Sequence, residues 1–138
     1  MSFEFSGTQP GNVTSLSEVH VLATDEYNAK GVKSIEEGLQ LYMKAYRRQF
    51  ENEQTAERRE SSINRFISYL ESKGHSLTLA DLSFNDGQTF IDTLTNARDG
   101  SKLSLATRQD FKSGLRSFTR FLAKSGVISI DIFFDLSI

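Results

Sequence analysis

The segment from Ser104 to Gly126 constrains the fold more than any other part of this 138-residue chain. Apolar residues recur in it every three or four positions, at Phe111, Leu115, Phe118 and Leu122. This spacing predicts one apolar stripe along a helix of 3.6 residues per turn. Ser104 is a typical residue for capping the start of a helix, and Gly126 is typical of its end. We therefore expect a long helix with one buried face.

A second row on the same helix is basic. It consists of Arg108, Lys112, Arg116 and Arg120, which recur every four residues. At about 100° per residue, the centres of the basic and apolar rows lie about 110° apart around the helix. A solvated side of an ordinary bundle helix explains this pattern, and so does a surface that meets an anionic partner. The helix alone leaves both interpretations open.

Composition places the chain among globular proteins of one domain. Its 138 residues are 38% hydrophobic and 25% charged, and no run approaches the ~18 apolar residues of a membrane span. A secretory signal is not visible at the N-terminus. The lack of cysteine excludes disulfides, thiolate nucleophiles and cysteine-based zinc sites, and it fits a reducing, cytoplasmic location. We expect no membrane association.

The net charge of −2 does not favour a nucleic-acid partner by itself. The charge is uneven, however, because residues 34–126 contain fourteen basic and twelve acidic residues, whereas the segments on either side are acidic. Binding to phosphate would therefore depend on local placement of cations rather than on bulk charge.

Capping signals predict three further helices. The first begins at a capping box, Ser34 with Glu37 three residues later, and runs to about residue 50. The third begins at a similar pair, Ser83 with Asp86, and runs to about residue 97. The predicted core positions on these two helices are Ile35, Leu39, Met43, Tyr46 and Phe50, then Phe84, Phe90, Ile91 and Leu94.

The second helix is predicted over residues 56–73, with Thr55 as its cap and Gly74 as the left-handed residue that ends it. Its core positions are Ile63, Phe66, Ile67 and Leu70. Together these helices predict an all-α fold, a four-helix bundle over residues 34–126. Residues 1–33 are predicted to be a flexible or extended N-terminal arm.

The last segment, residues 127–138, is strongly apolar and alternates imperfectly. A strand, a helical turn that packs back on the bundle, and a segment that meets another domain all fit this pattern. If it were exposed, its Ile, Phe and Leu side chains would form a hydrophobic patch that favours association with another protein surface.

Catalytic and metal-binding motifs are not apparent. His20 and His75 have no partner at metal-ligand spacing, and the chain lacks phosphate-binding glycine loops and a nucleophile elbow. The carboxylates are scattered over amphipathic surfaces. We therefore expect no cofactor, no metal and no catalysis by this chain.

The order of these features resembles the SAM-like core-binding domain of the tyrosine recombinase (phage integrase) family over about residues 34–130. That domain has a third helix opened by an Asp-Leu-Ser pattern and a fourth helix with Ser, Thr, Leu and aromatic residues before a final glycine. The matching residues here are Asp81, Leu82, Ser83 and Asp86, then Ser104, Thr107, Leu115, Phe118, Phe121, Leu122 and Gly126.

The resemblance implies a SAM-like four-helix bundle, orthogonal or antiparallel, that clamps duplex DNA at a recombination site. By position it implies DNA contacts from Arg58, Ser62, Arg65, Tyr69, Lys102, Thr107, Arg108, Lys112, Arg116 and Arg120. Its further implied partners are the catalytic domain of a parent recombinase and neighbouring protomers on DNA. A bacterial, phage or mobile-element origin follows from the same resemblance.

Two departures limit what the resemblance implies. The family usually has Asn-Pro after the final glycine, where this chain has Ile130-Asp131-Ile132, and neither histidine begins the family's His-x-x-Arg pair. We therefore expect the chain to hold DNA without cutting it, and residues 127–138 to lead toward a catalytic domain outside this sequence. The alternative is a helical protein–protein interaction module or accessory factor without DNA binding, which the near-neutral charge, acidic termini and apolar end favour.

Overall fold

Four α-helices account for most of the described chain. The computed structural model describes residues 20–22, 31–96 and 98–138. Its helices are α1 (Ile35–Gln49), α2 (Glu53–Ser72), α3 (Phe84–Thr93) and α4 (Leu105–Lys124), with a short 3-10 turn at Leu79–Asp81 between α2 and α3. The predicted all-α four-helix bundle is confirmed. The rest of the predicted N-terminal arm lies outside the described residues.

Local hydrogen bonds explain why the helix starts were predictable. At the start of α1, Oγ of Ser34 accepts from the backbone N–H of Glu37 at 3.0 Å, and the Glu37 carboxylate accepts from the N–H of Ser34 at 3.0 Å. Ser83 and Asp86 form the same capping box at α3. Ser104 caps α4, and Gly126 follows that helix with a φ of 80°. Each of these contacts joins residues at most four positions apart.

Two predicted helix ends are wrong. Helix α2 begins at Glu53 because Asn52, and not Thr55, is the cap, and its side-chain oxygen accepts from the N–H of Thr55 at 3.1 Å. Asparagine caps a helix as well as threonine does, so the earlier polar residue takes that role. Helix α3 stops at Thr93, about four residues early, because Thr95 pairs with Lys102 in an antiparallel bridge.

One apolar core joins the four helices. On α1, Tyr42 packs edge-on against Phe118 and Phe121 of α4, with ring centroids 5.5 and 5.6 Å apart. Helix α4 contacts all three other helices. Most predicted core residues are buried, whereas Phe50 and Phe111 are half-buried and Phe84 is 38% exposed, so the prediction for Phe84 is wrong. Phe84 is the first residue of α3, and the buried residues of this helix begin three positions later, at Gly87.

The last twelve residues pack back on the bundle in turns. Phe133 is fully buried, with its ring centroid 5.7 Å from that of Phe66, and it lies against Gly87 of α3. A Cβ on Gly87 would stand 2.6 Å from the Phe133 ring, so any larger residue there would force this buried ring to move. The side-chain amide of Gln88 bonds both backbone groups of Ser137, at 2.9 and 3.1 Å. Phe134 nevertheless remains 58% exposed.

Candidate nucleic-acid interface

The four predicted contacts on α2 share one face of that helix. At about 100° per residue, Arg58, Ser62, Arg65 and Tyr69 fall within an arc of about 60°. Only Arg58 is exposed, and the other three are half-buried. Most of this face is therefore in contact with neighbouring elements.

Arg65 contacts other elements of the bundle. Its guanidinium donates to the backbone oxygen of Thr95 and lies 5.5 Å from the centroid of the Phe111 ring on α4. Tyr69 packs against Phe90 of α3, with centroids 5.3 Å apart. Burial, together with the nearby Asp86 carboxylate, raises the pKa of Tyr69, so its phenol stays protonated.

Three more predicted contacts gather around the turn between α3 and α4. Lys102 is exposed and pairs with Thr95 in the antiparallel bridge, which places it beside the carbonyl that Arg65 contacts. Arg108 donates through Nε to the backbone oxygen of Leu103 at 3.2 Å. The Thr107 hydroxyl accepts from Oγ of Ser104 at 3.0 Å, within the cap of α4. Thr95 therefore links Arg65 with Lys102, while Thr107 and Arg108 bond to the two residues just before α4.

The basic row on α4 does not lie on one flat face. Each step of four residues advances the row by about 40° beyond a full turn, so it rotates by about 120° from Arg108 to Arg120. Arg120 lies nine residues after Phe111, which is about 180° around the helix. Since Arg65 lies over Phe111, the α2 face and the end of the row lie on opposite sides of α4.

The remaining open surface of α4 forms a basic strip. We define the α4 strip as Gln109, Lys112, Ser113, Arg116, Arg120 and Lys124, which fall within an arc of about 120°. Gln109 and Lys124 are exposed, and the other four are half-buried. The strip carries four cations. Asp110, the one acidic residue of α4, projects about 100° away from its centre.

The returning C-terminal segment borders this strip. The Arg116 guanidinium lies 5.7 Å from the centroid of the exposed Phe134 ring. One turn later on α4, the Thr119 hydroxyl donates to the Asp131 carboxylate at 3.0 Å. Thus the segment fixes the position of one edge of the strip.

Arg59 of α2 is a buried arginine that is neither among the predicted core residues nor among the predicted contacts. It is 0% exposed, and its guanidinium donates to the Tyr42 hydroxyl at 3.5 Å and to the backbone oxygen of Ser113 at 3.4 Å. Its side chain crosses α4 at Gly114, where a Cβ would stand 3.5 Å from Cδ of Arg59. The signal was spacing, because Arg59 continues the buried stripe four residues before Ile63.

Burial of this cluster also affects Tyr42. The Tyr42 hydroxyl lies 2.7 Å from Oγ of Ser117, and burial raises the pKa of this tyrosine. The hydroxyl therefore stays protonated and can donate to Ser117 while it accepts from Arg59. The cluster holds α1, α2 and α4 together.

Lys124 and His20 were also absent from the predicted contacts. Lys124 continues the four-residue spacing of the basic row, which was a usable signal. His20 comes close to α4 through the chain's path, and the two residues line one cleft together with Arg120. His75 lies elsewhere, with Nδ1 3.1 Å from the Asp86 carboxylate.

Neither a metal site nor a membrane span is found in the part of the chain that the structure describes. No three His, Asp or Glu residues in that part are grouped so that they could hold a metal ion. None of the helices there is long and apolar enough to cross a membrane. Comparisons with protein-family models, with curated proteins and with solved structures found no match.

Proposed function

We propose that this chain is a DNA-binding module of the integrase-type recombinase kind, and that the α4 strip is the surface that contacts the duplex. The observation that carries the proposal is four cations without a carboxylate on the open side of a 20-residue helix. Arginine and lysine neutralise backbone phosphates, and cations placed in one strip can contact several phosphates of the same duplex. The module binds DNA and contributes no catalytic group.

The charges of the neighbouring elements support this orientation. Helix α3 and residues 125–138 contain four acidic residues and no basic residue; these are Asp86, Asp92, Asp131 and Asp135. Helix α4 contains five basic residues and one acidic residue. Helix α4 is therefore the most basic helix of a chain whose net charge is −2, and we expect a polyanion to approach it on the α4 strip despite Asp131 at the edge of the strip.

The residues that carry the family resemblance explain how the helices form and pack, and they give less support to DNA contact. Its landmark residues have folding roles in the structure. Ser83, Asp86, Ser104 and Thr107 belong to helix caps, and Leu115, Phe118, Phe121 and Leu122 are buried. The DNA contact in this proposal therefore depends on the α4 strip, and the α2 arginines contribute little beyond the exposed Arg58.

A fluorescence anisotropy titration with a labelled duplex tests the proposal across salt concentrations. We expect dissociation constants of ~10⁻⁴–10⁻⁶ M, which increase as the salt concentration rises. The double variant Lys112→Gln/Arg116→Gln should lower the affinity by roughly tenfold or more and reduce the slope of log K against log salt by about two.

The matched control is Lys44→Gln/Arg48→Gln, which removes the same charge from exposed positions on α1. We expect its affinity to stay within about threefold of the original chain. Equal losses in the two double variants, or binding that does not change with salt, would contradict the strip as the contact surface.

A second candidate function, protein–protein interaction, is favoured by an apolar groove. The groove encloses about 580 Å³ between the entry to α1, the 3-10 turn and the start of the last segment. Its lining residues include Val32, Leu82, Val127 and Ile130, and Ile130 is 66% exposed. This surface suits a partner segment with apolar side chains.

The second function makes a different prediction about one substitution. Ile130→Asp should abolish capture of a protein partner and leave duplex binding within about twofold, because the groove and the strip are separate surfaces. Co-purification from an extract of the source cell, followed by a titration with the purified partner, measures the effect. Loss of duplex binding by this variant would show that the apolar groove and the α4 strip do not act as separate surfaces.

A further inference from the structure

A cleft lies between the segment His20–Leu22 and the C-terminal half of α4. The segment is held in place by Gln49 of α1, whose side-chain amide accepts from the N–H of Leu22 at 2.8 Å and donates to the backbone oxygen of His20 at 2.9 Å. Val21 between them is 5% exposed. The cleft encloses about 490 Å³, a volume within the range of small-ligand sites.

One hydrogen-bond donor of Arg120, at this cleft, is buried without an acceptor. Nε of Arg120 is shielded from solvent and has no hydrogen-bond acceptor within reach. A buried N–H without an acceptor is rare and costly, because it has lost its bond to water and gained none in return. An acceptor oxygen in the cleft would complete this bond once the Arg120 side chain turns the shielded N–H toward the cleft.

The charges of the residues that line the cleft indicate which chemical group would bind there. Lys124 lies one turn after Arg120 on α4, and His20 stands on the opposite wall. No carboxylate is found among the described residues that line the cleft. A guanidinium fork with a second cation nearby suits an anion that offers several oxygens, and arginine binds both carboxylates and phosphates in this way. Of these two groups, phosphate offers the larger number of acceptor oxygens.

We propose that this cleft binds a phosphate group, with the Arg120 guanidinium and the Lys124 ammonium as its two cationic contacts. The segment His20–Leu22 forms the other wall, so residues before α1 complete the site. Both cations belong to the α4 strip. That the phosphate is carried by a DNA backbone rests on the proposed function, whereas the site itself would accept inorganic phosphate equally.

Nitrogen-15 NMR of arginine side chains in the full chain tests the site, because it observes the Nε–Hε group of Arg120 directly. One titration uses inorganic phosphate, and a second uses a short DNA duplex. We expect the Arg120 signal to shift with phosphate and to saturate. Arg120→Lys keeps the charge but removes the fork and should weaken phosphate binding at least tenfold, and Lys124→Gln should weaken it several-fold.

The matched control is Lys44→Gln, which removes one charge from α1 and should leave the phosphate affinity within twofold. The backbone amide spectrum checks that each variant is folded. An Arg120 signal that does not move with phosphate, or an unchanged phosphate affinity in Arg120→Lys, overturns the site. Duplex binding without a shift of Arg120, when inorganic phosphate does shift it, overturns the DNA backbone as the source of the phosphate and leaves the proposed function intact. Phosphate binding without duplex binding supports the site and contradicts the proposed function.

Discussion

The arginines near the centre of α2 and the cations of the α4 strip have different surroundings. Arg59 is fully buried between Tyr42 and Gly114, and Arg65 spans from α2 to the Thr95 carbonyl and the Phe111 ring. On the strip, by contrast, Lys124 is exposed and Arg120 borders an open cleft. Arg59 and Arg65 donate to hydroxyl and backbone oxygens of neighbouring elements, whereas Arg120 and Lys124 line a cleft that has no carboxylate among its described residues.

This difference shows that a basic residue on an amphipathic helix does not by itself indicate a binding surface. Both groups follow helical spacing in the sequence, and both carry the same charge. What separates Arg59 and Arg65 from Arg120 and Lys124 is whether another element supplies a backbone oxygen that accepts from the side chain. Variants that remove one group at a time therefore measure the difference directly.

The largest effect is expected at Arg59. Arg59→Ala removes its hydrogen bonds and leaves a cavity where three helices meet, so we expect the free energy of unfolding to fall by roughly 3 kcal/mol or more. Urea denaturation monitored by circular dichroism measures this change.

Arg59→Met keeps the volume of the side chain and serves as the control at the same position. It should cost less than Arg59→Ala, because well-packed apolar replacements of buried charges are often tolerated. A loss below about 0.5 kcal/mol for Arg59→Ala, which is typical of surface sites, would mean that Arg59 belongs with the strip and not with the core.

A smaller effect is expected at Arg65. Arg65→Met retains the apolar stem but loses the bond to Thr95 and the contact with Phe111, so we expect a loss of about 1–2 kcal/mol in unfolding free energy. Lys124→Met on the strip is the matched comparison and should change it by less than about 0.5 kcal/mol. Equal losses at the two positions, measured by the same denaturation, would remove the distinction between the two groups.

Much of the fold was predictable because its signals are local. The capping boxes at Ser34 and Ser83 bond residues at most four positions apart, and Gly74 and Gly126 adopt the left-handed conformation that ends a helix, with φ of 71° and 80°. Such contacts form between residues that are already neighbours in the chain. The start of α2 was misplaced by the same kind of signal, because Asn52 and Thr55 both suit a cap.

The candidate site was predictable only in part, because helical spacing locates a residue on a helix but not what packs against it. The basic row of α4 and its direction were visible in the sequence. The sequence did not show which of the predicted contacts bind other parts of the bundle and which lie on the α4 strip. This depends on the bond between Arg65 and Thr95 and on the rotation that carries Arg120 away from α2. His20 could not have been associated with Arg120, because about a hundred residues separate them.

The amino-acid sequence alone specifies four helices, their caps and their apolar stripes, since these depend on interactions within one or two turns. Assembly of those helices determines the rest. Phe133 occupies the space of the Cβ that Gly87 lacks, and the bond between Gln88 and Ser137 decides among the three alternatives for the last segment. Arg59 is buried for the same reason: contacts between residues far apart in the chain set the burial of a side chain, and local spacing does not encode them.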